Sequence, residues 1–456
     1  MGAHVNTAGP GAAILLFNPA GQKATGYVEY EPWTEWESWE GLGYSLVDEQ
    51  GEAVPYQLVD THEALTRPAH GIVRLVFRAS VPAMGYRTYR FAPGLPVAAP
   101  LPDLTATPTT LDNGRIQLRL DEHTGAIVSC LDTMTGTEFV GRRGWNVAQV
   151  LEDRSDTWSH RIPGFAGPIL GEFHLVESRV ADLGPLQASI VVDRVLGASR
   201  WTQQIVVRRD SDAILIRNWV NWDGQWQTVK LAFDVNTPAP EATHDVAFGH
   251  CRRPCDGAEV PTQMWMDVSG PLIGEGAKQI GAALLNDGKY GCDVNGSVMR
   301  LTILRSPPYA YHEPHQFGVK ARYDWVDQGY QEFVLEVRPH LGDWRDAGIV
   351  EAARAINMPM LPVTMHAHSG DLPTQSSLLG VTGDDLEMTA LKPAEDGDGA
   401  VLRLADRHGR GASGTVRWMG VAFEVALRPS EIATYRISRV DGEWRLTDTN
   451  MLERPT

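Results

Sequence analysis

Short apolar runs, many alternating with polar residues and closed by turn-forming pairs, recur along this chain and predict strands. Residues 281–307, GAALLNDGKYGCDVNGSVMRLTILRSP, show the pattern most plainly. An apolar run at 282–285 ends in Asn286-Asp287-Gly288. Asn295-Gly296 then opens a second run, Met299-Arg300-Leu301-Thr302-Ile303-Leu304-Arg305. Asp-Gly and Asn-Gly favour tight turns because these residues tolerate positive φ. Strict alternation puts Met299, Leu301, Ile303 and Arg305 on one face. A guanidinium would then finish an apolar face just before Ser306-Pro307-Pro308 stops the strand, and a charge so placed needs a partner or a ligand. Arg305 is therefore the first candidate functional residue.

The same reading divides the chain. Residues 1–12 are small and Gly-rich and form a loose arm. Residues 13–92 carry short strands separated by turn residues, which predicts a small β-sandwich. Within it Trp33, Trp36 and Trp39 are spaced by three with acids between them. Such indoles can stack on a sugar ring, but a lid over the sandwich edge is the expectation. Residues 93–110 hold Pro93, Pro96, Pro100, Pro102 and Pro108 and read as a stiff linker. Residues 111–362 are a long series of antiparallel-type strands, predicting a large sandwich of two sheets. One helix is predicted there, at 343–357, capped by Asp343, striped by Trp344, Ala347, Val350 and Ala353, and ended by Asn357-Met358-Pro359. Residues 372–456 read as a compact C-terminal sandwich. The fold class is all-β, a multi-domain β-sandwich.

Composition narrows the functions. A hydrophobic content of 43% with 21% charged residues fits a globular chain and excludes general disorder. Fifty-seven acidic against 40 basic residues give a net charge of −17, which argues against a nucleic-acid partner. No stretch reads as a signal peptide or is long enough to span a membrane, so no membrane partner is expected. Four cysteines, Cys130, Cys251, Cys255 and Cys292, suit the reduced thiols of a cytoplasmic protein. Cys251 and Cys255 lack the second Cys pair of a structural zinc site.

Three stretches carry candidate chemistry. Residues 146–160, NVAQVLEDRSDTWSH, lead from a strand into a loop with Glu152, Asp153, Asp156, Trp158 and His160. Carboxylates beside an indole suit a sugar site, the acids holding hydroxyls and the ring stacking on the pyranose face; a solvated acidic turn with a buried Trp fits the same residues. Residues 306–323 hold Tyr309, Tyr311, His312, Glu313 and His315; two histidines and a glutamate this close could ligate a metal, but Pro314 argues against a helical metal motif and ordinary loop residues are the expectation. In residues 337–344, VRPHLGDW, Arg338 and His340 are expected to fix the start of the helix, with a site-facing His340 as the other reading. No GxSxG, HExxH, P-loop or strand-following GxGxxG is present.

The ordered segments ILLFNP (14–19), VPAMGYRTYRF (81–91), LDNGRIQLRLDEHTGAIVSCLDTMTG (111–136), the EDRSDTWSH loop, HDVAFGHCRRP (244–254), QMWMDVS (263–269), LLNDGKYGCDV (284–294), LTILRSPP (301–308) and VRPHLGDWRDA (337–347) resemble glycoside hydrolase family 38, the α-mannosidases, in its C-terminal half only. The resemblance implies a central galactose-mutarotase-like supersandwich and retaining hydrolysis of α-mannosides through a carboxylate nucleophile. It also implies that the nucleophile and a zinc ion lie in an N-terminal barrel absent from these residues. The chain is therefore expected to hold no cofactor and no catalytic or metal-ligating residue of its own, and to bind α-mannoside-class carbohydrate at the cleft rim without hydrolysing it. Arg305, Asp153, Asp156 and Trp158 are the substrate-binding candidates, with bracing of the barrel interface as their other role. A separate barrel chain or a second copy is the implied protein partner. A standalone carbohydrate-binding or scaffold module, and an epimerase using a His and a Glu on the supersandwich, stand as alternatives.

Overall fold

A computed structural model describes residues 2–32, 39, 41–60, 73–160, 162–312, 322–383 and 385–454. Nearly every element is an antiparallel strand, and the chain divides into two compact units. One comprises Pro102–Asp245 with Cys251–Asn357; the other comprises Met1–Leu101, Val246–His250 and Met358–Thr456. None of the described helices is long and apolar enough to cross a membrane.

The larger unit is the supersandwich. Among the described residues, a ten-stranded sheet is built around Val140–Glu152, Gln227–Val235 and Val298–Arg305. A nine-stranded sheet includes Gln187–Leu196, Ser199–Arg208, Ile214–Trp222, Gly329–Leu341 and Glu275–Asn286. Both contribute to one apolar core. Trp145, Val150, Leu231, Phe233 and Leu301 come from the first sheet, and Ile190, Val192, Ile205, Leu284 and Leu335 from the second. Inward residues alternate with outward ones except where bulges shift the register, so burial of one face of each sheet accounts for the sandwich.

Three amides sit inside this core and link the sheets. Asn146 and Gln203 exchange hydrogen bonds of 3.0 and 2.9 Å, and Gln203 donates a further one of 2.7 Å to Asn218. The Trp201 indole N–H donates to the same Asn218 oxygen at 3.2 Å. Buried amides are tolerated because they satisfy one another.

Among the described residues, the smaller unit has two larger apolar cores and a small cluster of Val5, Leu15 and Tyr86. Strand Ala12–Asn18 lies between Gly85–Pro93 and Leu361–Met365, packing with the sheet of Ala24–Tyr30, Val73–Val81 and Tyr56–Asp60. Trp39 packs edge-on against Phe91 inside this core, at 5.5 Å between ring centres, rather than forming a lid. Trp33 and Trp36 lie outside the described residues. Residues 378–449 form the second core between a three-stranded and a four-stranded sheet.

Three expectations are corrected here. The helix predicted at 343–357 spans only Ile349–Asn357, because Gly348 adopts φ +67° and interrupts the helical backbone. Asp343 instead caps a run of turns, accepting the Arg345 N–H at 2.8 Å. The stretch read as an unpaired linker to residue 110 ends in the strands Thr105–Thr107 and Thr110–Asp112, whose β-branched threonines suit a sheet edge. Leu361–Met365, across the expected end of the central domain, pairs with Ala12–Asn18.

His340 does not face solvent. It lies on Gly329–Leu341 with its Nε2 2.7 Å from Oδ2 of Asp267, on Trp265–Leu272, and both side chains are buried. Gly281, on the strand between them, makes room, since a Cβ there would stand 2.4 Å from Cε1 of the imidazole. Burial pulls the His340 pKa down, but the Asp267 charge and hydrogen bond outweigh it and leave it raised above 6.5. Folding thus favours the protonated ring. Its contribution is fully present below the unfolded value and is lost as pH rises through the raised folded one. In pH-dependent chemical denaturation, H340N should be less stable than the parent by about 3–5 kcal/mol at low pH, the cost of leaving Asp267 buried and unpaired. The gap should narrow as the pH climbs above 6.5. Parallel profiles for the two proteins would remove the charged pair from this account.

Candidate functional site

The site begins with a β-bulge. Strand Val298–Arg305 pairs with Gln227–Val235 so that Thr302 faces Lys230, Leu304 faces Val229 and Arg305 faces Thr228. Ile303 is the extra residue. Met299, Leu301, Ile303 and Leu304 all reach the core, and Arg305 emerges on the opposite face with Arg300, Thr302, Thr228 and Lys230. Strict alternation had placed Arg305 at the end of the apolar face. The bulge corrects that placement by shifting the strand's remaining side chains by one.

This outer face of the ten-stranded sheet is a row of charges. The ammonium of Lys230, 0% exposed, is held by Asp293 and Glu259. Arg300 Nε donates to the other Asp293 oxygen at 2.8 Å, and Thr302 Oγ1 donates to Glu259. Two cations thus meet two carboxylates, so the buried ammonium is fully paired. A Lys inside the otherwise apolar run 229–233 was a legible signal of this cluster, and sequence reasoning passed over it.

Arg305 organises the neighbouring loop. Its Nε donates to Oδ2 of Asp153, Nη1 to the Thr157 carbonyl at 3.0 Å, and Nη2 to Ser155 Oγ and the Asp156 carbonyl, both at 2.5 Å. Asp153 also accepts from Thr228 Oγ1 at 3.1 Å and from the Ser155 N–H at 3.0 Å. The Phe165 ring lies 4.6 Å from the guanidinium and 5.7 Å from the Lys230 ammonium, covering both cations. Arg305 and Asp153 therefore face each other and the loop backbone.

Asp156 is also turned inward. Its side chain is 1% exposed, with Oδ1 accepting the His160 N–H at 3.0 Å and Oδ2 lying 2.7 Å from His160 Nδ1. Trp158 is 56% exposed at the loop tip. The loop is tied to the segment after Arg305: the Thr157 N–H donates to the Tyr311 carbonyl at 3.0 Å, and Thr157 Oγ1 to the Pro308 carbonyl at 2.7 Å. These bonds bring His312 beside the loop, its ring centre 4.6 Å from that of His160 and 5.7 Å from that of Trp158. Nothing in the spacing of 152 residues between His160 and His312 announced that contact. Glu313 and His315 lie outside the described residues.

The four candidates Arg305, Asp153, Asp156 and Trp158 thus stand together in two layers. A buried layer of Arg305, Asp153 and Asp156 fixes the loop, and an exposed layer of Trp158, His160 and His312 meets solvent. An open indole with two imidazoles offers a flat apolar face edged by nitrogen donors and acceptors. Asp156, His160 and His312 also bring metal-type donor atoms within 4.8 Å of one another. Elsewhere in this unit, a cavity of about 280 Å³ is lined by Arg115, Asp132, Asp212 and Arg338, among others. Both arginines there already lie 3.7 Å from Asp212. Burial pushes the Cys292 thiol up to about 12, which removes it as a nucleophile near neutral pH.

Residues 111–313 match the model of the glycosyl hydrolases family 38 C-terminal domain. Over 383 residues the chain is 28% identical to Alpha-mannosidase 2C1 of Homo sapiens, covering 76% of this chain and 33% of that protein. Over 344 residues it is 24% identical to Alpha-mannosidase G of Dictyostelium discoideum, covering 71% of this chain and 29% of that protein. The chain spans about a third of the length of the curated relatives it matches. Among solved structures, an alpha-mannosidase from Enterococcus faecalis V583 superposes with a TM-score of 0.72 at 14% identity, covering 95% of this chain and 57% of that one. A glycosyl hydrolase family 38 protein from Enterococcus faecalis gives the same TM-score at 15% identity, covering 95% and 59%. At such identities the superposition speaks for the fold alone.

Replacing Arg305 tests the two-layer arrangement. R305M leaves Asp153 buried without its cation and should destabilise the unit by about 3–5 kcal/mol in urea unfolding. R305K keeps the charge but loses the planar fork, and should fall between R305M and the parent. Both variants should become more open to proteolysis within 153–160. Unchanged loop protection in R305M would show that the guanidinium does not order the loop.

Proposed function

We propose, from the premise that residues 111–313 carry a glycosyl hydrolases family 38 C-terminal domain and that most of the chain is related to α-mannosidases, that this chain is the C-terminal β region of a retaining α-mannosidase-type glycoside hydrolase. In this reading it holds α-mannoside-class carbohydrate at the Trp158 face and completes the cleft of a catalytic barrel. The barrel is joined to it in one polypeptide or supplied by a second chain.

The observation that carries this reading is the rigid presentation of Trp158. An exposed indole is unfavourable in itself, yet the whole guanidinium of Arg305 is spent on holding the loop that displays it. A pyranose ring presents a face of C–H groups that stacks on an indole, and a preorganised platform loses less entropy on binding. His160 and His312 at its edge are placed to hydrogen-bond sugar hydroxyls.

The loop's own carboxylates support binding rather than hydrolysis. Retaining glycosidases need a nucleophile and an acid about 5–5.5 Å apart, both open to the glycosidic bond. Asp153 is engaged by Arg305, Thr228 and Ser155, and Asp156 by the His160 backbone and ring. The nucleophile and the zinc implied by the resemblance are accordingly assigned to the barrel.

The test is equilibrium binding of methyl α-mannoside and of an α-linked mannobiose, followed by ligand-observed NMR and tryptophan fluorescence. Saturable binding with a Kd on the order of 1 mM is expected. W158A should weaken it at least tenfold while keeping the parent's thermal midpoint. Neither protein should release 4-nitrophenol from an aryl α-mannoside. Binding unaffected by W158A, or hydrolysis by the 456-residue chain alone, would overturn the reading.

A further inference from the structure

We propose that Asp156, His160 and His312 form a binding site for a first-row divalent transition metal of the zinc class. The carbohydrate reading uses the same two imidazoles but needs no metal, and a zinc titration without sugar tests the metal site by itself.

The donors come from two loops that the fold fixes against each other. Asp156 and His160 are four apart on the loop whose carbonyls Arg305 holds, and Ser159 between them adopts φ +56°. His312 follows Tyr311, whose carbonyl accepts the Thr157 N–H. One donor atom from each of the three residues lies within 4.8 Å of the others. Zinc takes imidazole nitrogen and carboxylate oxygen at about 2.0–2.2 Å, so tetrahedral neighbours stand about 3.3 Å apart. His160 Nδ1 already lies 2.7 Å from Asp156 Oδ2, so on binding that pair opens slightly and the exposed His312 ring draws in, while buried Asp156 stays in place as the fixed base.

The donor set also selects the ion. Two imidazoles and one carboxylate suit zinc, copper or nickel, whereas magnesium and calcium want oxygen shells. Three protein donors leave a fourth position open to solvent beside Trp158, the pattern of open rather than purely structural sites. A neutral imidazole ligates through its unprotonated nitrogen, so a metal held at His160 Nδ1 takes the lone pair there and leaves the ring's single proton on Nε2. The nearby guanidinium does not oppose a cation outright, because Asp153 balances its charge.

The experiment uses the full, untagged chain stripped with a chelator. Calorimetric titration with zinc chloride should give one equivalent per chain, and cobalt chloride should produce the visible absorption of a low-symmetry, imidazole-bound ion. H160A and H312A should each weaken zinc binding by about 10–100-fold, and the double variant should abolish the saturable phase. His312 is exposed, so H312A should keep the apo parent's circular dichroism and thermal midpoint, whereas H160A also takes a partner from buried Asp156 and should melt lower. Zinc binding by the parent that is no tighter than by the double variant overturns the proposal, as does a saturable phase that survives in it.

Discussion

The Arg305 guanidinium is the interaction on which this region depends. A charge this little exposed must be matched atom for atom, and the match is supplied by Asp153, Ser155, Asp156 and Thr157, all from one loop. The energetic gain of such a pair over an apolar filler is small, because desolvation offsets most of the attraction. What it provides is conformation: only one path of the loop backbone delivers those acceptors to a planar fork. Trp158 and His160 are exposed where they are because the residues before them are tied down.

Much of this was readable from the chain. Asn295-Gly296 does turn between Gly291–Asn295 and Val298–Arg305, with Gly296 at φ +58°, and the apolar runs became strands. Arg305 was recognisable as a charge in need of a partner, and the acids at 153 and 156 as notable. Their mutual contact was not recognisable, because 152 residues separate Arg305 from Asp153 and only the sheet order brings them together. The wrong face was assigned to Arg305 because alternation was extended through Ile303-Leu304. Two adjacent apolar residues there were the one visible hint of a bulge. The helix start was missed for a similar reason: propensity saw Asp343 as a cap, while the φ of Gly348 is a property of the folded backbone.

The superposition on two Enterococcus faecalis structures at 14 and 15% identity shows how little of the sandwich depends on particular residues. Apolar alternation of suitable volume is enough to build two facing sheets, and many side-chain combinations satisfy it. Residue-specific demands concentrate where polar groups are buried: the Asn146–Gln203–Asn218 amides, the Lys230 carboxylates and the Arg305 loop. Each can be satisfied in few ways, so these places carry information that the core does not.

The pairing of Leu361–Met365 with Ala12–Asn18 has a consequence for biosynthesis. Ala13, Ile14, Leu15 and Leu16 leave the ribosome long before their cover does, since the strand on one side of them is made more than three hundred residues later. Until then their strand is an apolar edge with unpaired amides, the kind of surface that templates aggregation. Closing it also joins strands more than three hundred residues apart, a slow step at translation rates. Chaperone demand during synthesis is thus built into the order in which this sheet receives its strands.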